Sequence, residues 1–143
     1  MDNNILLSIH PHHIAKIQTG EKRYELRRSN PCRLSAGCRG LIYATYPVKR
    51  IVGSFQVGEI YDRHPAELWE PLQRYFGIDK NKFSNYFEGC DVGTAIEIKN
   101  YQPLTNPIPR LDLIMMWGLV PPQSYRYITN DLFVDLLNYE KNM

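Results

Sequence analysis

The apolar segments of this chain are short, and glycine or proline interrupts or ends most of them. Apolar residues that alternate or run together predict six strands, at about 5–9, 22–28, 41–46, 50–61, 94–100 and 125–128. Gly53 and Gly58 fall within the longest of these, where glycine is typical of a bulge or bend. Such strands favour an α+β fold: a small mixed β-barrel of five to six strands with flanking helices.

Apolar residues at helical spacing predict helices between the strands, at about 11–19, 65–76, 79–87, 111–117 and 130–139. Pro71 predicts a kink or break in the second of them, and the proline-rich segment 103–109 predicts an edge strand or an extended segment. A length of 143 residues fits one domain, and no linker or repeat divides the chain. We expect a single domain over 1–143, with its core at about 5–128 and a C-terminal helix at about 130–139.

Several functional classes lack their signals in this sequence. No apolar run reaches the roughly 18 residues of a membrane helix, and the first four residues lack the basic start of a secretory signal. Cys32, Cys38 and Cys90 lack zinc or redox spacing, which indicates reduced structural thiols. No glycine-rich turn indicates a Rossmann or P-loop nucleotide site, and no serine lies in a GxSxG setting. We expect a cytoplasmic protein without a cofactor.

The charges of the chain are unevenly distributed. Residues 1–50 hold nine Lys and Arg against three Asp and Glu, within a chain of net charge +2. Such a basic end is typical of a surface that binds phosphates, although charges balanced in three dimensions would give the same count. His10, His12 and His13 also lie here, but adjacent His12 and His13 diverge on a helix. We therefore expect no metal site, and a polar helix start facing solvent or phosphate.

The densest polar cluster is the segment 20–28, which reads GEKRYELRR. On a strand, Glu25 and Arg27 share one face, while Tyr24 and Leu26 face the core. The carboxylate can accept from the amino groups of a base, and a guanidinium can donate to a phosphate or a carbonyl. Lys22 and Arg28 add positive charge at the ends of the segment. The alternative is a surface ladder of weak ion pairs.

Other polar residues lie where predicted strands end or begin. Thr45 and Pro47 close one strand at a turn, and Gln123 and Ser124 precede another. Strand ends of this kind commonly line sites in barrels. Five tyrosines near such ends are candidates to stack on an unpaired base: Tyr43, Tyr46, Tyr61, Tyr125 and Tyr127.

Residues 6–27 resemble the signature of the ASCH domain family, G-x-K-x-x-E-x-R, which is read here as Gly20, Lys22, Glu25 and Arg27. Segments 42–53, 83–98 and 121–125 resemble later blocks of the same family, so the resemblance covers about 6–128. It implies a PUA-like barrel with a cleft beside it that binds RNA or a modified nucleotide. By that resemblance Lys22, Glu25 and Arg27 line the cleft, and the weaker additions are Thr45, Pro47, Gln123 and Ser124.

The resemblance also leaves an enzyme open. Some relatives are amidohydrolases that remove an acetyl group from acetylcytidine, and in them a threonine nucleophile occupies the position of Glu25. A carboxylate does not readily replace an activated hydroxyl in forming an acyl intermediate. If the protein is a hydrolase of a modified nucleoside or a ribonuclease, Lys22 and Glu25 would share proton transfer. A further alternative is a protein-interaction domain that docks through 103–109 and 117–125.

Overall fold

The structure is a computed structural model that describes residues 3–31 and 33–139. The strands are β1 (Asn4–Ile9), β2 (Tyr24–Arg27), β3 (Arg39–Ala44), β4 (Arg50–Arg63), β5 (Gly93–Pro109) and β6 (Tyr125–Ile128). The helices are α1 (Pro11–Thr19), α2 (Pro65–Leu72), α3 (Lys80–Tyr86), α4 (Arg110–Trp117) and α5 (Asn130–Leu137), with a 3₁₀ turn at Gln73–Tyr75. The predicted α+β fold is confirmed.

The strands form one mixed sheet in the order β2-β5-β4-β3-β1-β6. The β1 and β3 strands run parallel, and every other neighbouring pair is antiparallel. Bulges interrupt the pairing of β4 with β5 at three points, which bends these long strands. As a result the sheet curls into a half-barrel, and Arg27 on one edge strand hydrogen-bonds to Ser8 of β1 near the other edge.

Both faces of the sheet are covered. On one face, Ile5, Leu7 and Ile9 of β1 pack with residues of α1, while Leu6 on the other face packs with α4 and α5. This explains why Ile5, Leu6 and Leu7 are consecutive apolar residues and why every residue of β1 is buried. A third cluster lies where α2, the 3₁₀ turn and α3 pack on β2, and it is mostly aromatic: Tyr24, Leu26, Leu68, Phe76, Phe83 and Phe87.

Some elements are shorter than the sequence predicted, whereas 103–109 takes the edge position that was expected of it. The strand expected at 22–28 is only Tyr24–Arg27, and the helix expected at 65–76 ends at Leu72, one residue beyond Pro71. Proline-rich 103–109 is the second half of β5, where it pairs with β4 alone and so forms a sheet edge. None of the helices among residues 3–31 and 33–139 combines the length and apolar character needed to span a bilayer.

Candidate functional site

Strand β2 carries an acidic and a basic residue at the centre of the candidate site. Glu25 and Arg27 leave the same face of the strand, because they are two residues apart, while Tyr24 and Leu26 enter the aromatic cluster. The charged face of an amphipathic edge strand is normally exposed to solvent, but this one is buried. Glu25 is 8% and Arg27 9% exposed. Lys22, just before the strand, is 3% exposed. This burial contradicts the alternative of a surface ladder of ion pairs.

Glu25 lies between two cations. Its Oε2 is 2.8 Å from Nη2 of Arg27, and its Oε1 is 3.6 Å from Nζ of Lys22. Each oxygen of the carboxylate faces a positive charge, which offsets part of the cost of burying the three charged groups. The three side chains therefore form a buried triad in which each charge depends on the others.

Backbone carbonyls and one hydroxyl fix the two cations. Lys22 donates from Nζ to the carbonyl oxygen of Phe76 at 3.0 Å. Arg27 donates from Nη2 to the carbonyl oxygen of Ser8 at 3.0 Å and from Nη1 to Oγ of Ser124 at 2.9 Å. Arg27 thus links β2 to β1 and to the segment before β6, and the curl of the sheet holds the triad in place.

Gly77 determines how the chain passes over the triad. Its φ of +71° lies in the left-handed region that glycine adopts without strain. The turn directs the carbonyl oxygens of Phe76 and Gly77 towards the ammonium groups of Lys22 and Lys16, respectively. A β-carbon at position 77 would also lie 3.1 Å from Cβ of Lys22, so the close approach favours glycine here.

The triad retains unused hydrogen-bonding capacity. The ammonium of Lys22 has three donors, of which one is bonded to Phe76 while Glu25 lies 3.6 Å away, and a carboxylate has about four acceptor positions. Nε of Arg27 is buried and has no hydrogen-bond partner. Burial lowers the pKa of Lys22 from its usual 10.5, and Glu25 opposes this effect. A polar ligand that reaches Lys22 or Glu25 from the cavity could therefore bind without displacing their present partners.

The triad forms part of the wall of a cavity of about 760 Å³. Three residues of α1 form another part of the wall: His12, His13 and Lys16. Facing them are residues from the segment that runs from the 3₁₀ turn into α3, which include Arg74, Asp79, Lys82 and Tyr86. Lys and Arg outnumber acids around the cavity, so it favours an anionic ligand.

His13 and Tyr86 are cavity residues that sequence reasoning did not select as site residues. His13 was expected only to form part of a polar helix start. Tyr86 is 38% exposed and donates from its hydroxyl to the carbonyl oxygen of Leu26 at 3.1 Å, which fixes its ring at the wall. The sequence gives little indication that Tyr86 belongs to a site. The spacing of Phe83 and Phe87 predicts a helix there but does not show where Tyr86 lies.

The remaining residues predicted for the site lie elsewhere or only at its margin. Ser124 contacts the triad through Arg27, whereas Gln123 beside it is exposed and does not line the cavity. Arg28 is exposed and donates to the carbonyl oxygen of Glu88 at 3.3 Å. Thr45 and Pro47 belong to the turn after β3 and do not line this cavity either.

The tyrosines proposed for stacking also lie outside the cavity. Tyr43 is buried in the cluster with α4 and α5, and Tyr61 packs against Tyr24. Tyr125 and Tyr127 pack against each other edge to face. The fifth, Tyr46, is 74% exposed in the turn after β3.

Neither the cysteines nor the histidines form a metal cluster in the part of the chain that the structure describes. Cys38 and Cys90 are free thiols, and Cys32 lies outside the described residues. The rings of His10, His12 and His13 are close together, with centroids 5.6 to 6.5 Å apart. However, Nδ1 of His10 is occupied as the cap of α1, where it accepts from the backbone N–H of His12 at 3.1 Å.

Comparison with known proteins shows the family to which the chain belongs. The family model of the ASCH domain matches residues 7–107. The ASCH domain-containing ribonuclease of Zymomonas mobilis is 32% identical over 129 residues, which are 88% of this chain and 84% of that protein. The crystal structure of ASCH from Zymomonas mobilis matches with a TM-score of 0.86 at 28% identity, covering 96% of this chain and 95% of that one.

A more distant match shows the fold alone. A protein from Agrobacterium tumefaciens matches with a TM-score of 0.58 at 17% identity, over 94% of this chain and 90% of that one. The family match includes the Gly20, Lys22, Glu25 and Arg27 motif and extends across β1 to β5. The chain belongs to the ASCH domain family.

Proposed function

We propose that this protein is a ribonuclease that binds single-stranded RNA in the cavity beside β2. The observation that carries the proposal is the cavity itself, which combines the buried triad of Lys22, Glu25 and Arg27 with a basic wall. The Zymomonas mobilis relative, which is named a ribonuclease, supports RNA as the substrate.

The cavity suits one unstacked nucleotide. Its volume of about 760 Å³ is within the range of roughly 300–1,000 Å³ typical of sites for small ligands. Tyr86 offers an aromatic surface on which a base can stack, and Glu25 has acceptor positions for an exocyclic amine or a ribose hydroxyl. Lys22 and Arg27 offer donors for a base carbonyl or a phosphate oxygen.

Arg74 and Lys82 are suited to binding phosphates of the chain outside the cavity. Both are exposed at the wall opposite α1, and neither forms an ion pair with any other described residue. Lys16, in contrast, is held by the carbonyl oxygen of Gly77 and lies 3.8 Å from Glu21. Mobile unpaired cations are the groups that release counterions when they contact a nucleic acid.

The test combines binding and cleavage. Fluorescence polarisation with a labelled single-stranded RNA should give an affinity that falls with salt, with a log–log slope of about −0.7 for each phosphate contact. The double variant Arg74→Gln/Lys82→Gln should bind severalfold more weakly with a shallower slope. The matched control is Lys99→Gln, which removes an exposed cation that does not line this cavity.

Gel analysis of the same RNA should show cleavage by the wild-type protein and none of the corresponding DNA, since the 2′-hydroxyl distinguishes the two. Binding without salt dependence, equal loss in the Lys99→Gln control, or absence of cleavage would contradict the proposal. Binding without cleavage would indicate that the protein is an RNA-binding domain and not a ribonuclease.

A second candidate function is hydrolysis of a modified nucleoside such as acetylcytidine. It is favoured by the lowered pKa of Lys22, because a buried lysine that loses its proton more readily is better suited to proton transfer. Incubation with acetylcytidine followed by mass spectrometry would show release of acetate. The absence of turnover, or equal turnover by Glu25→Gln, would remove this candidate.

Protein docking through 103–109 and 117–125 stays a prediction. The first segment pairs with β4 along one edge, and Val120 in the second is 53% exposed.

A further inference from the structure

Transesterification of RNA requires a group that accepts a proton, and the triad does not offer one readily. Both carboxylate oxygens of Glu25 face a cation, Lys22 on one side and Arg27 on the other. A proton on either oxygen would disrupt the contacts that hold Lys22 and Arg27 in place, so this carboxylate is better suited to positioning the two cations than to proton transfer. A guanidinium has donors and no acceptor, so Arg27 cannot take this role. Lys22 donates to the carbonyl oxygen of Phe76 and faces Glu25, so its nitrogen offers a donor and no free lone pair while these contacts hold. We therefore considered the other parts of the cavity wall for the proton acceptor.

His13 lies on that wall. The strand β1 leads through His10 into α1, and the first turn of this helix carries His13 alongside the triad. Nδ1 of His13 is enclosed and has no hydrogen-bond partner. The ring is only partly buried and lines the cavity, so Nε2 is the nitrogen through which it can meet a ligand. This imidazole is thus not committed to holding the fold together by a hydrogen bond.

The charges around His13 favour its neutral form. Burial lowers the pKa of His13 from its usual 6.5, and the nearby charge of Lys22 lowers it further. Glu25 raises the pKa, whereas His12 and Lys16 on the same helix lower it. A neutral imidazole has a free lone pair and can accept a proton at physiological pH.

We propose that His13 is the general base of RNA cleavage, an inference that rests on the proposed ribonuclease function. Nε2 of His13 takes the proton of a ribose 2′-hydroxyl, and the 2′ oxygen forms a bond to the adjacent phosphorus. The bond from phosphorus to the 5′ oxygen breaks, and the leaving oxygen takes a proton from water. The imidazolium then returns its proton to the solvent, so the products are a 2′,3′-cyclic phosphate and a 5′-hydroxyl.

Lys22 and Arg27 would stabilise negative charge on the phosphate and would not transfer a proton. Their donors face the same cavity as His13, where they can stabilise the negative charge that develops on the phosphate oxygens in the transition state. Glu25 would act as a positioning residue that keeps both cations in place. Asp79, Arg74 and Lys82 complete the set of charged groups on the facing wall.

The test compares His13→Gln, which keeps a polar side chain that cannot exchange a proton, with a matched control. The control is His64→Asn. His64 is exposed and caps the N-terminus of α2, and asparagine can cap a helix in the same way. His13→Gln should lose about 10²- to 10⁴-fold in kcat/KM, the usual contribution of a general base. RNA affinity should stay within about threefold of the wild type, because binding depends on the cations. His64→Asn should cleave as the wild type does.

Two further readouts separate proton transfer from a structural role. The wild-type kcat/KM should fall as pH decreases through the His13 pKa, on the acid side of 6.5, because a protonated imidazole cannot act as a base. Added imidazole should restore part of the activity of His13→Ala, which serves if His13→Gln does not fold. Mass spectrometry should find a terminal cyclic phosphate, and one 2′-deoxy nucleotide should block cleavage at its own linkage.

The outcomes are distinguishable. If the wild type cleaves RNA and His13→Gln retains more than a tenth of its kcat/KM, His13 is not the base, but the ribonuclease function stands. Products with a 5′-phosphate would also overturn the assignment, since the 2′-hydroxyl would not be the nucleophile. If the wild type does not cleave RNA, the proposed cleavage fails and the role of His13 fails with it.

Discussion

Removing the charge of Glu25 should destabilise the protein strongly. The substitution Glu25→Gln keeps the size of the side chain but leaves Lys22 and Arg27 without their shared anion. Both cations remain buried, at 3% and 9% exposure. Breaking a buried ion pair by removing one partner costs about 3–5 kcal/mol, because an uncompensated charge stays in a poorly solvating environment. We expect the free energy of unfolding to fall by that amount at pH 7.

The loss should depend on pH in a defined direction. The pKa of Lys22 is already lowered from 10.5 by burial, and Glu25 is the group that raises it. Without Glu25 the pKa of Lys22 falls further in the folded state, while the unfolded chain keeps the ordinary value. Between these two pKa values the unfolded state binds more protons, so the stability of the variant rises with pH. The difference from the wild type should therefore be largest near neutral pH and shrink as the pH approaches 10.

Urea unfolding followed by circular dichroism at several pH values measures this effect. With a slope of about 2 kcal/mol per molar urea, a loss of 3–5 kcal/mol would shift the midpoint by about 1.5–2.5 M. The matched control is Glu21→Gln, because the side chain of Glu21 is 61% exposed and lies 3.8 Å from Nζ of Lys16. Loss of this exposed ion pair should lower the free energy of unfolding by less than about 1 kcal/mol. A loss below about 1 kcal/mol for Glu25→Gln, or one that grows between pH 7 and 10, would refute this reasoning.

Two further substitutions test other parts of the structure. Tyr86→Leu should weaken RNA binding in fluorescence polarisation by about 1–3 kcal/mol, because a stacking surface is lost. Tyr86→Phe keeps the ring and should bind almost as the wild type does. If Tyr86→Leu binds as tightly as the wild type, the base does not stack on Tyr86. Gly40→Ala should lower the free energy of unfolding by about 1–3 kcal/mol, since the added Cβ would lie 2.3 Å from the buried ring of Phe55. An unchanged urea midpoint would show that the ring moves aside freely.

Local sequence patterns were sufficient to predict most of the elements. The helix Pro11–Thr19 has the bounds expected from the sequence, with proline at its first position and Gly20 as its left-handed cap. The helix expected at 79–87 is α3, and Asp79 caps it by accepting from the backbone N–H of Lys82. The strand β2 was predicted too long, because its ends are set by pairing with β5 and not by its own alternation.

The candidate site could be predicted only in part. Lys22, Glu25 and Arg27 lie within six residues, so their motif shows in the sequence and in the cavity alike. His13 and Tyr86 reach the same cavity from α1 and α3, and no local pattern relates them to Glu25. Their placement depends on how the two helices pack around β2, which is a tertiary property.

The burial of the charged face of β2 was likewise not predictable from its alternation. A period of two places Glu25 and Arg27 together but does not show whether that face is covered. Here α1 and the turn at Gly77 cover it, and carbonyl oxygens of distant segments accept hydrogen bonds from the two cations.

A crystal structure with a short RNA that carries 2′-O-methyl groups, and so resists cleavage through the 2′-oxygen, tests the central claim most directly. The account predicts a nucleotide in the cavity beside β2, with its base on Tyr86 and polar atoms within hydrogen-bond distance of Glu25 or Lys22. RNA bound on another face, with the triad in contact only with its present partners, would contradict it.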